Sequence, residues 1–177
     1  MELILSRGNN PTNTNVLTTD GNVLYSTSTP FKPWSRVTTV SKHSVSGGAH
    51  RSTTAGVQEL AKIHWHRLEP TWLEYNGQTI PDLDAFLSKT SIFSNSRSFV
   101  GSDRKSYKWK TSKAFSESCY LEDVQLGKTV VNVGAWSIFT GMQAGLKVDA
   151  SVLHMLDLIV ITLIYFEEQR PKGQSST

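Results

Sequence analysis

The 177-residue chain has a single cysteine, Cys119. A lone thiol closes no internal disulfide, so there is no disulfide framework to build on, and a reducing, cytoplasmic setting is the simplest expectation. The chain also lacks an apolar run near its start. Residues 1–7 place Glu2 and Arg7 around only three aliphatic side chains, which is not the pattern of a secretory signal. Its Asn10-Pro11-Thr12 triplet is closed to N-glycosylation by the proline. Neither charge sign is in large excess: 18 Lys and Arg against 15 Asp and Glu give a net charge of +3. That permits an anionic partner without the strong basic excess of a nucleic-acid binder, and no nucleic acid is expected. There is no P-loop, no Gly-x-Gly-x-x-Gly and no Gly-x-Ser-x-Gly, and no cofactor is expected.

What is present is a soluble, globular composition, 38% hydrophobic and 19% charged. A chain of this length buries roughly 70% of its unfolded surface and can hold one real core. Tight-turn signals recur. Asp20-Gly21, Asn76-Gly77 and the run Gly101 to Arg104 each separate extended, β-rich stretches. Glycine accepts the left-handed backbone of such turns without a Cβ clash, so the pattern is that of an antiparallel meander, sandwich or barrel. Alternation supports strands. Tyr107 and Trp109 share one face and Lys108 and Lys110 the other; Val57, Ala61, Ile63 and Trp65 are expected to face one way, and Lys62, His64 and His66 the opposite way. Residues 128–133 form a further extended run. Pro81 to Leu87 suits a short helix, with proline in the first turn. The small, polar stretch 45–55 reads as a long loop, and residues 171–177 as a disordered tail. No repeat or linker divides the rest, so residues 1–170 are expected to be a single domain.

The most hydrophobic stretch runs from Leu153 to Phe166, close to the end of the chain. Its β-branched residues favour strand, and its length favours helix, with Asp149 or Ser151 available as a cap. A membrane span wants about 20 apolar residues, and His154 and Asp157 interrupt this one. The expectation is a helix over 150–168 that is apolar on nearly every side and therefore buried on every side.

Several elements in order carry a resemblance: Ser28-Thr29-Pro30-Phe31, Ser35 to Thr39, Ile63-His64-Trp65-His66, Pro81-Asp82-Leu83, Ser96 to Phe99, Tyr107-Lys108-Trp109-Lys110, and the terminal segment 154–162. Together they resemble a family of single-domain proteins of unknown function abundant in mushroom-forming fungi. That family is distantly similar to the tubby C-terminal, LURP-one-related and phospholipid-scramblase group. The resemblance implies a mainly β fold, a closed antiparallel barrel wound around a central hydrophobic C-terminal helix. It implies no catalytic residue set, because a fold does not fix a function.

Four constellations could carry chemistry. His64 and His66 would point to one face of a strand, as strand-borne metal ligands do, but a third ligand must come from scattered residues such as His43, His50, Glu59, Glu69 or Glu74. The stretch 97–113 holds six positive charges (Arg97, Arg104, Lys105, Lys108, Lys110, Lys113) against Asp103. It reads either as an anion platform or as a lysine-lined face that discourages edge pairing. His154 and Asp157, three apart on the terminal helix, read as a satisfied polar pair or as an acid–base dyad. Of the five tryptophans, Trp65, Trp72 and Trp109 are expected to pack the barrel, and Trp34 and Trp136 to line a ligand surface. Cys119 has no neighbour in sequence that would lower its pKa.

The leading expectation is an intracellular, non-catalytic binding module for a lipid headgroup or another small anionic or hydrophobic ligand. It would be cytoplasmic, with peripheral membrane contact. The alternative is a small-molecule enzyme, a lyase, isomerase or hydrolase, using His64, His66, His154 and Asp157, with metal assistance through the two strand histidines.

Overall fold

A computed structural model describes residues 1–7, 10–32, 35–44, 56–66, 68–91, 95–112, 118–134 and 144–170. The expected loop 45–55 and tail 171–177 lie outside these residues, as do His50, Trp34, Trp136 and Lys113.

The described residues form thirteen strands, a short helix and a long one. The first arm of the sheet comprises β1 (Glu2–Leu5), β2 (Asn15–Thr18), β3 (Val23–Ser28), β4 (Arg36–His43), β5 (Val57–Trp65), β6 (Trp72–Tyr75) and β7 (Gln78–Ile80). Helix α1 (Leu83–Phe86) leads to the second arm: β8 (Ser88–Lys89), β9 (Arg97–Val100), β10 (Ser106–Thr111), β11 (Cys119–Asp123), β12 (Lys128–Val133) and β13 (Ala144–Val148). A 3-10 turn (Ala150–Met155) then feeds α2 (Leu156–Gln169). Each arm is a meander in which neighbours in sequence are neighbours in space. The arms join where β1 pairs antiparallel with β13, Glu2 opposite Lys147 and Leu5 opposite Ala144.

The turns form where the dipeptides predict. Asn76 and Gly77 adopt φ of 50° and 72° in the β6–β7 hairpin, the pair of left-handed residues that a two-residue hairpin needs. In β10, Tyr107 and Trp109 are buried and Lys108 and Lys110 lie on the other face. In β5 the alternation breaks. Val40 pairs with Ala61 but Ser41 pairs with Glu59, leaving Leu60 as an extra residue. This bulge buries Leu60 and Ala61 in succession and turns Val57 outward to 59% exposure, so Val57 does not share the face of Ile63. Trp72 also departs from expectation. It pairs with His64 on the outer face of the sheet, while its neighbour Leu73 points into the core.

The terminal segment is a core helix. Asp149 caps the 3-10 turn by accepting from the Ser151 backbone N–H at 3.0 Å. Ala150–Gln169 has the length and apolarity to cross a bilayer, yet Leu158 through Phe166 are all buried within this chain. Burying a large aliphatic or aromatic side chain stabilises by about 1.5–3 kcal/mol, so this run is the largest single block of the core. The sheet curls around it. Trp65 from β5 stacks on Tyr165 at 5.8 Å between ring centroids, and Arg97 from β9 lies over the same ring at 5.0 Å.

The sheet is not closed into a barrel. β7 pairs only with β6 and β8 only with β9, so the ladder ends at both strands. The reason is local. α1 occupies the chain between them, capped by the Asp82 carboxylate on the Ala85 N–H at 2.9 Å and tied to the sheet by the Leu83 N–H donating to the Thr71 carbonyl at 2.7 Å. Leu83 and Leu87 are fully buried and Phe86 packs on Phe99. The two end strands are only three and two residues long and offer little ladder to join.

Candidate functional site

Two grooves collect the polar side chains. The first lies where the 3-10 turn enters α2. It has a volume of about 270 Å³ and is walled by Leu24, Tyr25, Lys42, His43, Leu153, His154, Leu156 and Asp157. Strand alternation brings Tyr25 inward from β3 beside Lys42 of β4, its partner in register. The Tyr25 hydroxyl donates to Asp157 Oδ1, and Lys42 Nζ reaches both Asp157 oxygens at 2.9 Å. Burial first, and then the bond to Asp157, push the Tyr25 phenol well above its ordinary pKa, so it stays a donor. His43 Nε2 is 2.9 Å from Ser26 Oγ.

His154 and Asp157 share this groove without pairing. His154 Nε2 lies 3.8 Å from Asp103 Oδ2 in the β9–β10 turn, and its side chain is 46% exposed. The winding breaks between them at Met155, whose φ of −119° and ψ of 26° are not helical, so His154 and Asp157 do not lie on one continuous helix. Each member of the expected dyad is thus held by a different element.

The second groove, about 300 Å³, is on the outer face of β4, β5 and β6 and is lined by Pro30, Lys32, Val37, Thr39, Lys62, His64 and Glu74. His64 lies flat on Trp72, ring centroids 3.6 Å apart and planes 5° from parallel. Its Nε2 is 3.3 Å from Glu74 Oε1 yet buried without a well-formed hydrogen bond. Burial lowers the imidazole pKa, against the opposing pull of Glu74. His66 follows the end of β5 and is not part of the groove lining, its Nδ1 3.7 Å from Glu69 Oε2. Among the described residues no three His, Cys, Asp or Glu side chains gather as metal ligands do. Of the four residues of the acid–base expectation, His154 and Asp157 line the first groove, His64 lines the second and His66 lines neither.

The basic stretch 97–113 does not form one platform. Arg97 points inward and is 4% exposed, its Nη1 2.8 Å from Asp84 Oδ1 and 3.0 Å from the Leu87 carbonyl. Burial alone would raise the Asp84 pKa, but the Tyr165 hydroxyl and the Arg97 guanidinium outweigh it and hold the carboxyl below its ordinary range. Lys110 Nζ is 2.8 Å from both Glu122 oxygens, and Lys108 stands opposite Glu122 in register. Arg104 and Lys105 remain exposed at the turn tip, Lys105 4.0 Å from Asp103. The inward turn of Arg97 was readable: two residues before the buried Phe99 and opposite Trp109, it must share their face. Nothing local pointed to Tyr25 or Lys42, whose partner Asp157 lies more than a hundred residues away.

Cys119 is buried beside Glu167, where burial first and Glu167 second push its thiol upward and keep it protonated.

No curated protein and no solved structure matches the chain. The model of a family of unknown function, DUF6593, matches residues 9–172, and the chain belongs to that family.

Proposed function

We propose that the protein is a non-catalytic binding module for an anionic amphiphile, a lipid headgroup with its adjoining chain or another small acidic molecule with an apolar body, held in the groove at the start of α2. The observation that carries this reading is the meeting there of Lys42, His43 and His154 with Leu24, Leu153 and Leu156. An apolar wall with a few convergent donors is the usual build of a small-molecule site. His43 and His154 would meet the acidic group, with Lys42 turning to it from its partly exposed pair with Asp157, and the leucines would cover its apolar body.

The surroundings favour an amphiphile taken from a surface. Val100, Leu126 and Leu153 are 56%, 69% and 37% exposed, at the end of β9, on the β11–β12 turn and on the 3-10 turn. Two contacts tie these tips together: His154 to Asp103 at 3.8 Å, and Lys128 Nζ to Asp149 Oδ2 at 2.8 Å. Arg104 and Lys105 project from the same end, and exposed apolar tips beside cations suit peripheral contact with an anionic leaflet. On this reading the protein is cytoplasmic, with peripheral membrane contact.

Calorimetric titration with a short-chain alkyl phosphate, against a neutral alkyl glucoside of equal chain length, tests the groove. Preferential binding of the phosphate that weakens in Lys42→Gln supports it. Co-sedimentation with phosphatidylcholine vesicles, with and without phosphatidylserine, separates a membrane source from a free ligand. Negligible binding to every one of these probes at low salt, where electrostatic attraction is least screened, would overturn the proposal.

A further inference from the structure

The outer-face groove is independent of the site just described and has its own charge pattern. Sheet register lays its floor in two rows. Thr39, Lys62 and Glu74 are mutual partners across β4, β5 and β6, and Val37, His64 and Trp72 are partners in the next outward row. A cation therefore sits at the centre of one row with a hydroxyl on one side and a carboxylate on the other. Pro30 and Lys32 close the groove from the β3–β4 connection. Lys32 is exposed and has no ion-pair partner among the described residues. Lys62 is shared with Glu59 at 2.8 Å, both side chains being partly solvated at 34% and 53% exposure. Such an exposed pair holds its partners weakly. The Glu74 carboxylate is 44% exposed, and the His64 ring beside it is fixed by stacking on Trp72.

We infer that this groove binds a small zwitterion, a molecule carrying a carboxylate and a protonated amine a few ångströms apart. The carboxylate goes to Lys62 and Lys32 with the Thr39 hydroxyl, the ammonium to Glu74 beside the His64 edge, and an apolar substituent to Val37 and Pro30. A simple anion placed at Lys62 would face the Glu74 carboxylate, and a simple cation at Glu74 would face two lysines. Only a ligand with both charges meets both ends.

A matched ligand series tests this on the full chain. L-valine carries both charges, isovalerate only the carboxylate and isobutylamine only the ammonium. The readout is the NMR signals of the His64 ring, which the Trp72 face shifts by its ring current. L-valine is expected to move them in a saturable way and to bind at least tenfold more tightly, about 1.4 kcal/mol, than either single-charge analogue. Glu74→Gln should bring L-valine down to the level of isovalerate, and Lys62→Met to the level of isobutylamine. Thermal melts of both variants confirm that the fold is kept, as surface positions on a sheet face allow. L-valine binding no tighter than its analogues, shifts that do not saturate, or indifference to both substitutions would each overturn the assignment.

Discussion

Trp109 donates its indole N–H to Thr162 Oγ1 at 3.1 Å, with both residues fully buried where β10 faces the middle of α2. The Thr162 hydroxyl in turn donates to the Ile159 carbonyl at 3.1 Å. One side chain on the helix thus satisfies the only polar atom of the largest side chain in the core, and fixes the helix in register against the sheet. Thr162→Val keeps the shape but leaves the indole N–H buried and unpaired. It is expected to cost about 1–3 kcal/mol in urea unfolding. Thr162→Ser keeps the hydroxyl and loses one methyl, at about 1 kcal/mol. Equal losses for the two would show that the bond contributes nothing.

Arg97 and Lys110 come from the same basic stretch and should behave oppositely. The Arg97 guanidinium is buried on Asp84, the Leu87 carbonyl and the Tyr165 ring. Asp84→Asn should therefore destabilise by about 1–2 kcal/mol, the low side of a charged hydrogen bond because the carboxylate is half exposed. Glu122→Gln, which only frees Lys110 on the sheet surface, should stay within about 1 kcal/mol of the parent. Chemical denaturation of both variants in one buffer makes the comparison.

Glu167 gives a pH dependence with a defined sign. Burial raises its carboxyl above the ordinary value of 4.5, although Arg170 and Cys119 pull it down. The folded chain therefore takes up a proton that the unfolded chain has released. Stability from this group is fully present below 4.5 and is lost as pH rises through the higher folded value. Glu167→Gln should raise Tm at pH 7.5 and lose that advantage by pH 4. Asp149 acts in the reverse sense. Lys128 and Ser151 hold its carboxyl well below the usual range, so its contribution is present above its ordinary value of 3.8 and fades in acid.

Arg104 adopts a φ of 64° in the β9–β10 turn, where its N–H donates to the Gly101 carbonyl at 3.0 Å. A side chain in the left-handed region costs about 1 kcal/mol that glycine avoids. Arg104→Gly should therefore leave the protein as stable or more stable by thermal melt. If this tip meets anionic lipid, the same variant should co-sediment less with phosphatidylserine vesicles. A gain in stability with unchanged sedimentation would make the strain a feature of the turn alone.

Much of the architecture is set by local chemistry and was legible. Asp20-Gly21, Asn76-Gly77 and residues 101–104 form turns because backbone dihedrals are decided within a few residues. The alternation of Tyr107 and Trp109 with Lys108 and Lys110 places the inner face of β10. The run from Leu158 to Phe166 has too much apolar surface to be anything but covered, and Asp149 caps the 3-10 turn that leads into it. Residues near Ile63 illustrate the limit of this logic. A single unpaired residue, Leu60, reverses the faces of everything before it, and only the register with β4 reveals the bulge.

The tertiary structure decided the pairings between distant segments. Whether the free ends of the two arms, β7 and β8, pair with each other depends on long-range geometry and on ladders of three and two residues, which no stretch of sequence encodes by itself. The partners of the charged side chains were set in the same way. Asp157 took Tyr25 and Lys42, His154 took Asp103, and His64 took Trp72 and Glu74, because each was placed by a different strand arriving from elsewhere in the chain. Sequence specifies which side chains a face carries. The charge that a groove presents to a ligand depends on which of those side chains have already been neutralised, and that follows only from the distances between elements once they have folded together.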